Sequence, residues 1–498
     1  MEKYILALDQ GTTSSRSILF DHHGNIVDMK QQEFTQFYPK DAYVEHDPLE
    51  IWHTQLATAQ MVIKSANINP RQIAAIGITN QRETTVVWNR ETGRPVCNAI
   101  VWQDRRTAEL VDQMKQMNYA TIFQNKTGLV LDAYFSGTKL KWILDNVPNA
   151  RKLALEGKLL FGTVDSWLVW NLTKGQVHVT DHSNASRTLL YNLHTKNWDS
   201  ELMDILDIPD SMLPTICDSS GVVGLTDSTL FGEAIPIGGI IGDQQGATFG
   251  NLCTQPGMIK NTYGTGCFLL MNSGNTVPTS KNNLLATIGW SFNQQTSYCL
   301  EGSVFIGGAV TQWIRDGLEF IRDSKEIETL ARSVNDNGGV YLVPAFTGLG
   351  APHWDQYARG AIFGITRATN RGHIARAALE SIAFQVHDLV DAIKADSKQE
   401  ITALRVDGGA CKNDLLMQFQ ADILNVVVER PKCLELTALG AAFLAGLAVG
   451  YWNSIDQLQH IWQLERRFEP NMSEDQRNHL LSMWHRATKR SLNWAKGE

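Results

Sequence analysis

The chain has 498 residues, of which 43% are hydrophobic and 19% charged, and its formal net charge at neutral pH is -8. That length exceeds what a single hydrophobic core supports, so we expect two large domains. The acidic balance, with a pI near 5.9, argues against nucleic acid as the main partner. The seven cysteines are scattered without a C-x-x-C pair, and Asp9 interrupts the apolar start of the chain. Both features predict a cytoplasmic protein.

The first motif is a predicted hairpin over residues 5–20, in which two short apolar strands flank a polar turn. Gly11 is expected to supply a positive φ in that turn. The turn also carries groups suited to phosphate oxygens and to a metal-bound water, namely Asp9, Thr12, Thr13, Ser14 and Arg16. The sequence therefore favours a phosphate clamp, although a plain hairpin with a polar loop stays open.

A predicted strand over residues 73–79 follows a helix whose start has Asp47 as N-cap and Glu50 completing a capping box. The pair Arg82 and Glu83 lies just beyond that strand, where ligands commonly bind in open α/β sheets. Together the two side chains offer the donors and acceptors that a polyhydroxyl ligand needs. A surface ion pair is the alternative.

Two aromatic residues further on are candidates for the wall of a small-ligand pocket. Trp102 follows an apolar run and fits either a core position or such a wall. Tyr134 begins an amphipathic helical segment and is free to face a cleft.

Asp243 is the main candidate for a general base, since it follows an apolar strand and opens a helix of small residues. Its alternative role is that of an N-cap. Residues 258–270 then repeat the layout of the opening hairpin, which suggests a second domain of related build and a second phosphate-binding turn.

The C-terminal half of the chain offers two glycine pairs close to polar side chains, where a purine or a sugar could approach the backbone. The candidates are Gly307-Gly308 with Gln312, and Gly408-Gly409 with Asn413. The uncharged stretch 436–455 is interpreted as a buried helix rather than a membrane span, because no second such segment exists. Residues 217–239 are expected to form a surface loop with a short strand.

Five motifs together resemble those of the FGGY carbohydrate kinases: residues 9–16, 80–84, 242–245, 261–266 and 405–410. The likeness covers about residues 3 to 470. It implies an α/β fold of two actin-like (ribonuclease-H-like) domains closing over a central cleft. Residues 1–250 would form the glycerol-binding domain with the phosphate hairpin, and residues 251–498 the nucleotide-binding domain.

The resemblance also implies a reaction, the transfer of a phosphoryl group from ATP to glycerol, with Mg2+ held through water by Asp9 and Asp243. Asp243 would be the catalytic base. The implied glycerol pocket consists of Arg82, Glu83, Trp102, Tyr134, Asp243, Gln244 and Phe268. The implied nucleotide site consists of Thr12, Thr13, Ser14, Arg16, Thr265, Gly308, Gln312, Gly409 and Asn413.

Alternatives within and beyond this family stay open. Asn80-Gln81-Arg82-Glu83 differs from the Gln-Met-His-Gly type of sequence found in xylulose-type kinases, which favours glycerol over another polyol or a ketose. An actin-like ATP-dependent binding or assembly protein would explain the phosphate hairpins but not the Arg82 and Glu83 pair. Some family members are controlled by a phosphorylated loop histidine or by fructose 1,6-bisphosphate. Residues 227–232 contain no histidine and no Gly-Gly-Lys-Gly type loop is present, so neither control is expected. We expect a dimer or tetramer and no membrane insertion.

Overall fold

The structure, a computed structural model, describes residues 2–496. The strands of the first half, up to residue 250, are β1 (Tyr4–Gln10), β2 (Ser14–Phe20), β3 (Ile26–Glu33), β4 (Glu45–His46), β5 (Ile73–Asn80), β6 (Val86–Asn89), β7 (Ala99–Ile100), β8 (Leu159–Gly162), β9 (Val179–Asp181), β10 (Tyr191–Asn192), β11 (Asn197–Trp198), β12 (Thr215–Cys217), β13 (Ser220–Leu225) and β14 (Pro236–Gly242). Its helices are α1 (Pro48–Ser65), α2 (Ala108–Gln116), α3 (Ala120–Thr127), α4 (Ser136–Asn146), α5 (Ala150–Leu155), α6 (Val164–Leu172), α7 (His182–Ala185), α8 (Ser200–Leu206), α9 (Ser228–Phe231) and α10 (Asp243–Gly250).

The second half continues the same alternation of strands and helices. Its strands are β15 (Ile259–Tyr263), β16 (Cys267–Gly274), β17 (Leu285–Phe292), β18 (Gln295–Val304), β19 (Tyr341–Val343), β20 (Ala361–Phe363), β21 (Ala403–Asp407), β22 (Val427–Pro431) and β23 (Leu464–Phe468). Its helices are α11 (Ala309–Asp316), α12 (Glu326–Ala331), α13 (Arg371–Ser397), α14 (Asp414–Leu424), α15 (Leu436–Ala448), α16 (Ile455–Gln459) and α17 (Glu474–Ser491).

Each half repeats one strand order within a continuous 13-stranded sheet. In the first half the order is β3-β2-β1-β5-β14, with β1 antiparallel to β2 and parallel to β5. In the second half the order is β18-β16-β15-β21-β22, with β15 antiparallel to β16 and parallel to β21. This repeat confirms the predicted second domain of related build.

Several local predictions needed correction. Strands β1 and β2 extend further into the turn than predicted, and Gly11 does not adopt a positive φ. Asp47 caps α1 as predicted, but Glu50 does not complete a capping box and instead accepts hydrogen bonds from Thr35. The segment 217–239 is more than a surface loop, because it contains β13 and most of β14, which pair in the sheet. The segment is rich in glycine and lacks the longer apolar runs that indicate strands, so the sequence did not predict both strands.

Helix α15 belongs to the second half of the chain but packs on the sheet of the first half. It contacts β1, β5 and β14, and it lies along α10. Apart from Thr437 its thirteen residues are apolar, and all of them except Thr437 and Ala448 are buried. A Cβ on Gly77 of β5 would come within 2.3 Å of the Ala441 carbonyl oxygen, so this close approach requires glycine. The interpretation of a buried helix is confirmed, and no helix of residues 2–496 is long and apolar enough to cross a membrane.

Candidate active site

Asp243 lies where β14 ends and α10 begins, with its side chain 29% exposed. Gly242, not Asp243, occupies the N-cap position. One carboxylate oxygen, Oδ1, lies 3.2 Å from Nε of Arg82 and accepts a hydrogen bond from the backbone N–H of Gln244. Burial raises the pKa of Asp243 to about 6, against the opposing effect of the Arg82 charge. This pKa suits a base that works near neutral pH.

Arg82 is held in a fully buried network of two arginines and two glutamates. Its guanidinium donates to both carboxylate oxygens of Glu301 at 2.6 and 2.9 Å. Arg187 donates to the same Glu301 at 3.1 Å and to Glu83 at 2.7 Å. Glu83 has φ 61°, a left-handed conformation that is strained for a residue with a side chain. The two arginines and Glu83 come from the first half of the chain and Glu301 from β18, so the network joins the two halves.

Three aromatic side chains form a wall beside Asp243 and Arg82. The Trp102 ring is edge-on to Tyr134 at 5.7 Å and to Phe268 at 6.4 Å between centroids. All three residues are half-buried. The indole N–H of Trp102 donates to the Thr12 hydroxyl at 3.0 Å. The wall is therefore tied directly to the turn of the first hairpin.

Lys260 lies behind this pocket and is completely buried. Its ammonium group donates to Gln244 Oε1 at 2.7 Å, to the Thr262 hydroxyl at 2.8 Å and to the Phe268 carbonyl oxygen at 3.2 Å. Burial lowers its pKa, while nearby carboxylates oppose that shift. Lys260 thus fixes the orientation of the Gln244 side chain and of the strand that carries Phe268.

The turn between β1 and β2 brings the predicted phosphate-binding groups together at the end of the sheet. Arg16 donates to Asp9 at 2.6 Å and to Glu435, just before α15, at 2.8 Å. Thr13 is exposed, whereas Ser14 is buried and accepts a hydrogen bond from the Gln31 side chain. Arg16 is thus engaged by two carboxylates and is only partly exposed.

On the side of the second half, three glycine-containing turns pack against one another. The Gly307 N–H donates to the Thr265 carbonyl oxygen, and the Gly308 N–H donates to the Gly264 carbonyl oxygen, each at 2.8 Å. Gly408 has φ 87°, and a Cβ there would lie 2.6 Å from the Tyr263 carbonyl oxygen. These turns leave Gly264, Gly308 and Gly409 half-buried or exposed, and this surface of backbone, here called the glycine shelf, can be approached by a planar ligand.

The predicted nucleotide residues lie on or beside this shelf. Thr265, Gln312 and Gly409 are exposed, and Gly308 is half-buried. The Asn413 side chain caps α14 by accepting from the Leu416 N–H at 2.9 Å. Whether these groups bind a nucleotide stays a prediction.

The structure thus brings Arg82, Glu83, Asp243 and Gln244 into one charged cluster beside the aromatic wall. Sequence reasoning missed four members of this cluster: Arg187, Gln245, Lys260 and Glu301. A signal was present for two of them, because Lys260 and Glu301 are the single charged residues of the largely buried strands β15 and β18, a position where an unpaired charge is very rare.

The fold and this site define a phosphotransferase class: the chain belongs to the FGGY family of carbohydrate kinases. The N-terminal domain of that family matches residues 4–250, and its C-terminal domain matches residues 259–449. The chain is 61% identical to the glycerol kinase of Oleidesulfovibrio alaskensis over the full length of both chains. It is 59% identical to glycerol kinase 2 of Thermotoga maritima, with 99% of this chain and all of that protein aligned.

Solved structures agree with this assignment. The crystal structure of Plasmodium falciparum glycerol kinase with ADP superposes with a TM-score of 0.92 at 38% identity, covering 99% of this chain and 98% of that one. Gluconate kinase from Lactobacillus acidophilus shares the fold, with a TM-score of 0.87 at 24% identity over 98% of each chain. The predicted fold of two related α/β domains is therefore confirmed.

Proposed function

We propose that this chain phosphorylates glycerol with ATP, forming sn-glycerol 3-phosphate and ADP. The observation that carries the proposal is the position of Asp243: a partly exposed carboxylate with a raised pKa, held by Arg82 beside an aromatic wall. Relatives that are called glycerol kinases and that match over the full length support the choice of acceptor. The names of these relatives do not favour an actin-like assembly protein or a kinase for a ketose.

Asp243 acts as the general base. The terminal hydroxyl of glycerol gives its proton to the Asp243 carboxylate while its oxygen forms a bond to the γ-phosphorus. The bond from that phosphorus to the bridging oxygen of ADP breaks, and its electron pair leaves with ADP. The ion pair with Arg82 fixes the direction in which the carboxylate presents its free oxygen.

The neighbouring groups orient the acceptor. Arg82 and Glu83 supply a donor and an acceptor for the other hydroxyls of glycerol, so that one primary hydroxyl points to the phosphate. Trp102, Tyr134 and Phe268 cover the carbon chain and exclude water, which would otherwise compete as the acceptor. Gln244, held by Lys260, adds a further polar contact.

The nucleotide lies between the two halves, with its phosphates at the first hairpin and its base on the glycine shelf. Thr12, Thr13, Ser14 and Arg16 face the phosphates, and Thr265, Gly308, Gln312, Gly409 and Asn413 face the nucleoside and the remaining phosphates.

Mg2+ fits the acidic groups of the site, because carboxylate oxygens and water are the ligands that it prefers. Arg16 occupies one oxygen of Asp9, and Arg82 and Gln244 contact one oxygen of Asp243, so each carboxylate retains a second oxygen for a metal-bound water. When bound, the ion neutralises charge on the transferred phosphoryl group.

We further propose a division of labour between residues 1–250, which bind glycerol, and residues 251–498, which bind most of the nucleotide. We also propose that the chain forms a homo-oligomer and acts in the cytoplasm. The seven cysteines are all free, as expected of a reducing compartment.

The test is ATP-dependent phosphate transfer to glycerol, xylitol, D-xylulose and dihydroxyacetone by the wild type and by Asp243→Asn. We expect selective formation of glycerol 3-phosphate and a loss in kcat of about 100- to 10,000-fold in the variant, with ATP still bound. Asp227→Asn, which changes the cap of α9 far from the cluster, is the matched control and should retain the wild-type rate.

Each other result has a defined meaning. Transfer to a ketose in preference to glycerol would overturn the roles of Arg82 and Glu83 while leaving the base in place. Nucleotide binding without transfer to any acceptor would support the actin-like alternative instead.

A further inference from the structure

A group of histidines around one buried aspartate lies away from the proposed active site. Asp388 of α13 is 10% exposed, and His485 of α17 approaches its Oδ1 with Nε2 at 3.1 Å. His387 Nδ1 lies 3.8 Å from the same oxygen. His353, in the loop before β20, has its Nε2 3.9 Å from Asp388 Oδ2. Three segments distant in sequence thus direct ring nitrogens at one carboxylate.

This cluster contains polar atoms that the protein does not satisfy. The His387 side chain is only 8% exposed. Its Nδ1 has no hydrogen-bond partner among residues 2–496. The hydroxyl of Thr488, one turn along α17, is also buried without a partner among the described residues. Thr488, His353 and Asp388 line a cavity of about 10 Å³. Unsatisfied buried donors and acceptors are costly, so the unpartnered Nδ1 of His387 close to the Asp388 carboxylate and the His485 ring indicates a ligand.

We propose that His387, Asp388 and His485 bind a zinc ion. Their ligand atoms all lie within 4.8 Å of one another. In a tetrahedral site with bonds of about 2.0–2.1 Å the ligand atoms are about 3.3 Å apart, so small side-chain rotations close the geometry. Two imidazoles and one carboxylate are a donor set that suits zinc rather than magnesium. A water molecule would occupy the fourth position.

The surroundings of His387 match those of a metal-bound imidazole. Its other nitrogen, Nε2, lies 3.6 Å from Asp391 Oδ2, one turn further along α13. At 3.6 Å this contact is longer than a hydrogen bond, but the nearby carboxylate favours a proton on Nε2, which leaves Nδ1 as the ligand.

The site would act as a clamp within the second half. Helix α17 packs on α13 through stacked rings of Trp484 and Phe384, with centroids 5.2 Å apart, and Trp484 also donates to Asp388 at 2.9 Å. A bound ion adds a coordinate link between these helices. Gln385 of α13 donates to the Ile306 carbonyl oxygen, next to the glycine shelf, so the clamp holds the helix that supports the nucleotide side.

The test is zinc binding by the full-length chain after removal of metals with a chelator, measured by competition with a chromophoric chelator and by the shift in Tm on adding zinc. We expect one zinc ion per chain and a higher Tm. His485→Ala should weaken zinc binding at least 100-fold and abolish the Tm shift. His485 is 57% exposed, so this variant should fold, and its circular dichroism without metal should equal that of the wild type.

Two further measurements make the result specific. His479→Ala changes an exposed histidine on the same helix and should leave zinc binding unchanged. Cobalt bound in place of zinc should give the intense visible absorption of a tetrahedral ion without a thiolate band in the near ultraviolet. Absence of stoichiometric binding, binding that His485→Ala leaves intact, or a cobalt–thiolate band would each overturn the proposal.

Discussion

Replacing Glu301 with glutamine tests whether the buried network holds the two halves of the chain together. The side chain is completely buried and bridges Arg82 and Arg187. Within the network Arg82 and Arg187 face Glu83 and Glu301, and Arg82 also faces Asp243 at the edge of the network. Glu301→Gln keeps the shape of the side chain but removes the carboxylate that accepts from both arginines, so each guanidinium group loses a buried charge partner. Breaking a buried ion pair in this way costs about 3–5 kcal/mol of the free energy of unfolding.

The assay is denaturant-induced unfolding of the wild type and the variant. The matched control is Glu233→Gln, which removes the carboxylate of an exposed pair with Arg71 and should cost less than about 1 kcal/mol. A loss for Glu301→Gln no larger than that of the control would refute the reasoning, because it would mean that the network is solvated or that its charges are not coupled.

The pH dependence of this difference adds a second check. Although burial opposes ionisation, Arg187 and Arg82 lower the pKa of Glu301 to about 2. A lowered carboxylate pKa contributes stability above the pKa of the unfolded state, near 4.5, and that contribution is lost as the pH falls toward 2. The stability difference between wild type and Glu301→Gln should therefore be full at neutral pH and should shrink below about pH 4.5.

Three further predictions concern the reaction. The value of kcat/KM for glycerol should fall as the pH drops through about 6, because protonated Asp243 cannot take up the proton of the glycerol hydroxyl. A value of kcat/KM that does not change between pH 5 and 8 would contradict the role of Asp243 as the base. Trp102→Phe removes the hydrogen bond to Thr12 while keeping an aromatic ring in the wall. The KM for glycerol should therefore rise a few-fold, which corresponds to about 1 kcal/mol of binding free energy. Steady-state kinetics measure this change, and Trp198→Phe is a control outside the pocket. Fructose 1,6-bisphosphate should leave the initial rate unchanged, and inhibition at millimolar concentration would show that the sequence signal for this control was misjudged.

The fold was predictable from the sequence where local signals were strong. The two hairpins, the buried apolar helix α15 and the helix that begins at Asp243 all follow from apolar runs that end in small or polar residues. Within residues 217–239 the sequence predicted a loop with one short strand, whereas the structure has β13 and most of β14 there. Their glycines and hydroxyl residues resemble a loop, and only pairing with neighbouring strands makes them part of the sheet.

The site was predictable in part for a similar reason. Arg82, Glu83 and Asp243 follow apolar strands, a position that indicates a ligand site without knowledge of the fold. Arg187 gave no comparable signal, since it follows a short helical turn within a run of small polar residues. Its partners Glu83 and Glu301 are far away in sequence, and only the folded chain brings the three together.

The crossing of α15 onto the first-half sheet has a consequence for how the protein is made. Strands β1, β5 and β14 are synthesised early, yet the helix that covers them is complete only when residue 448 has left the ribosome. Until then a nascent chain exposes an apolar sheet surface of the kind that aggregates or recruits chaperones. Fragments that end near residue 250 should show the same weakness, so the protein should resist division into independently expressed halves.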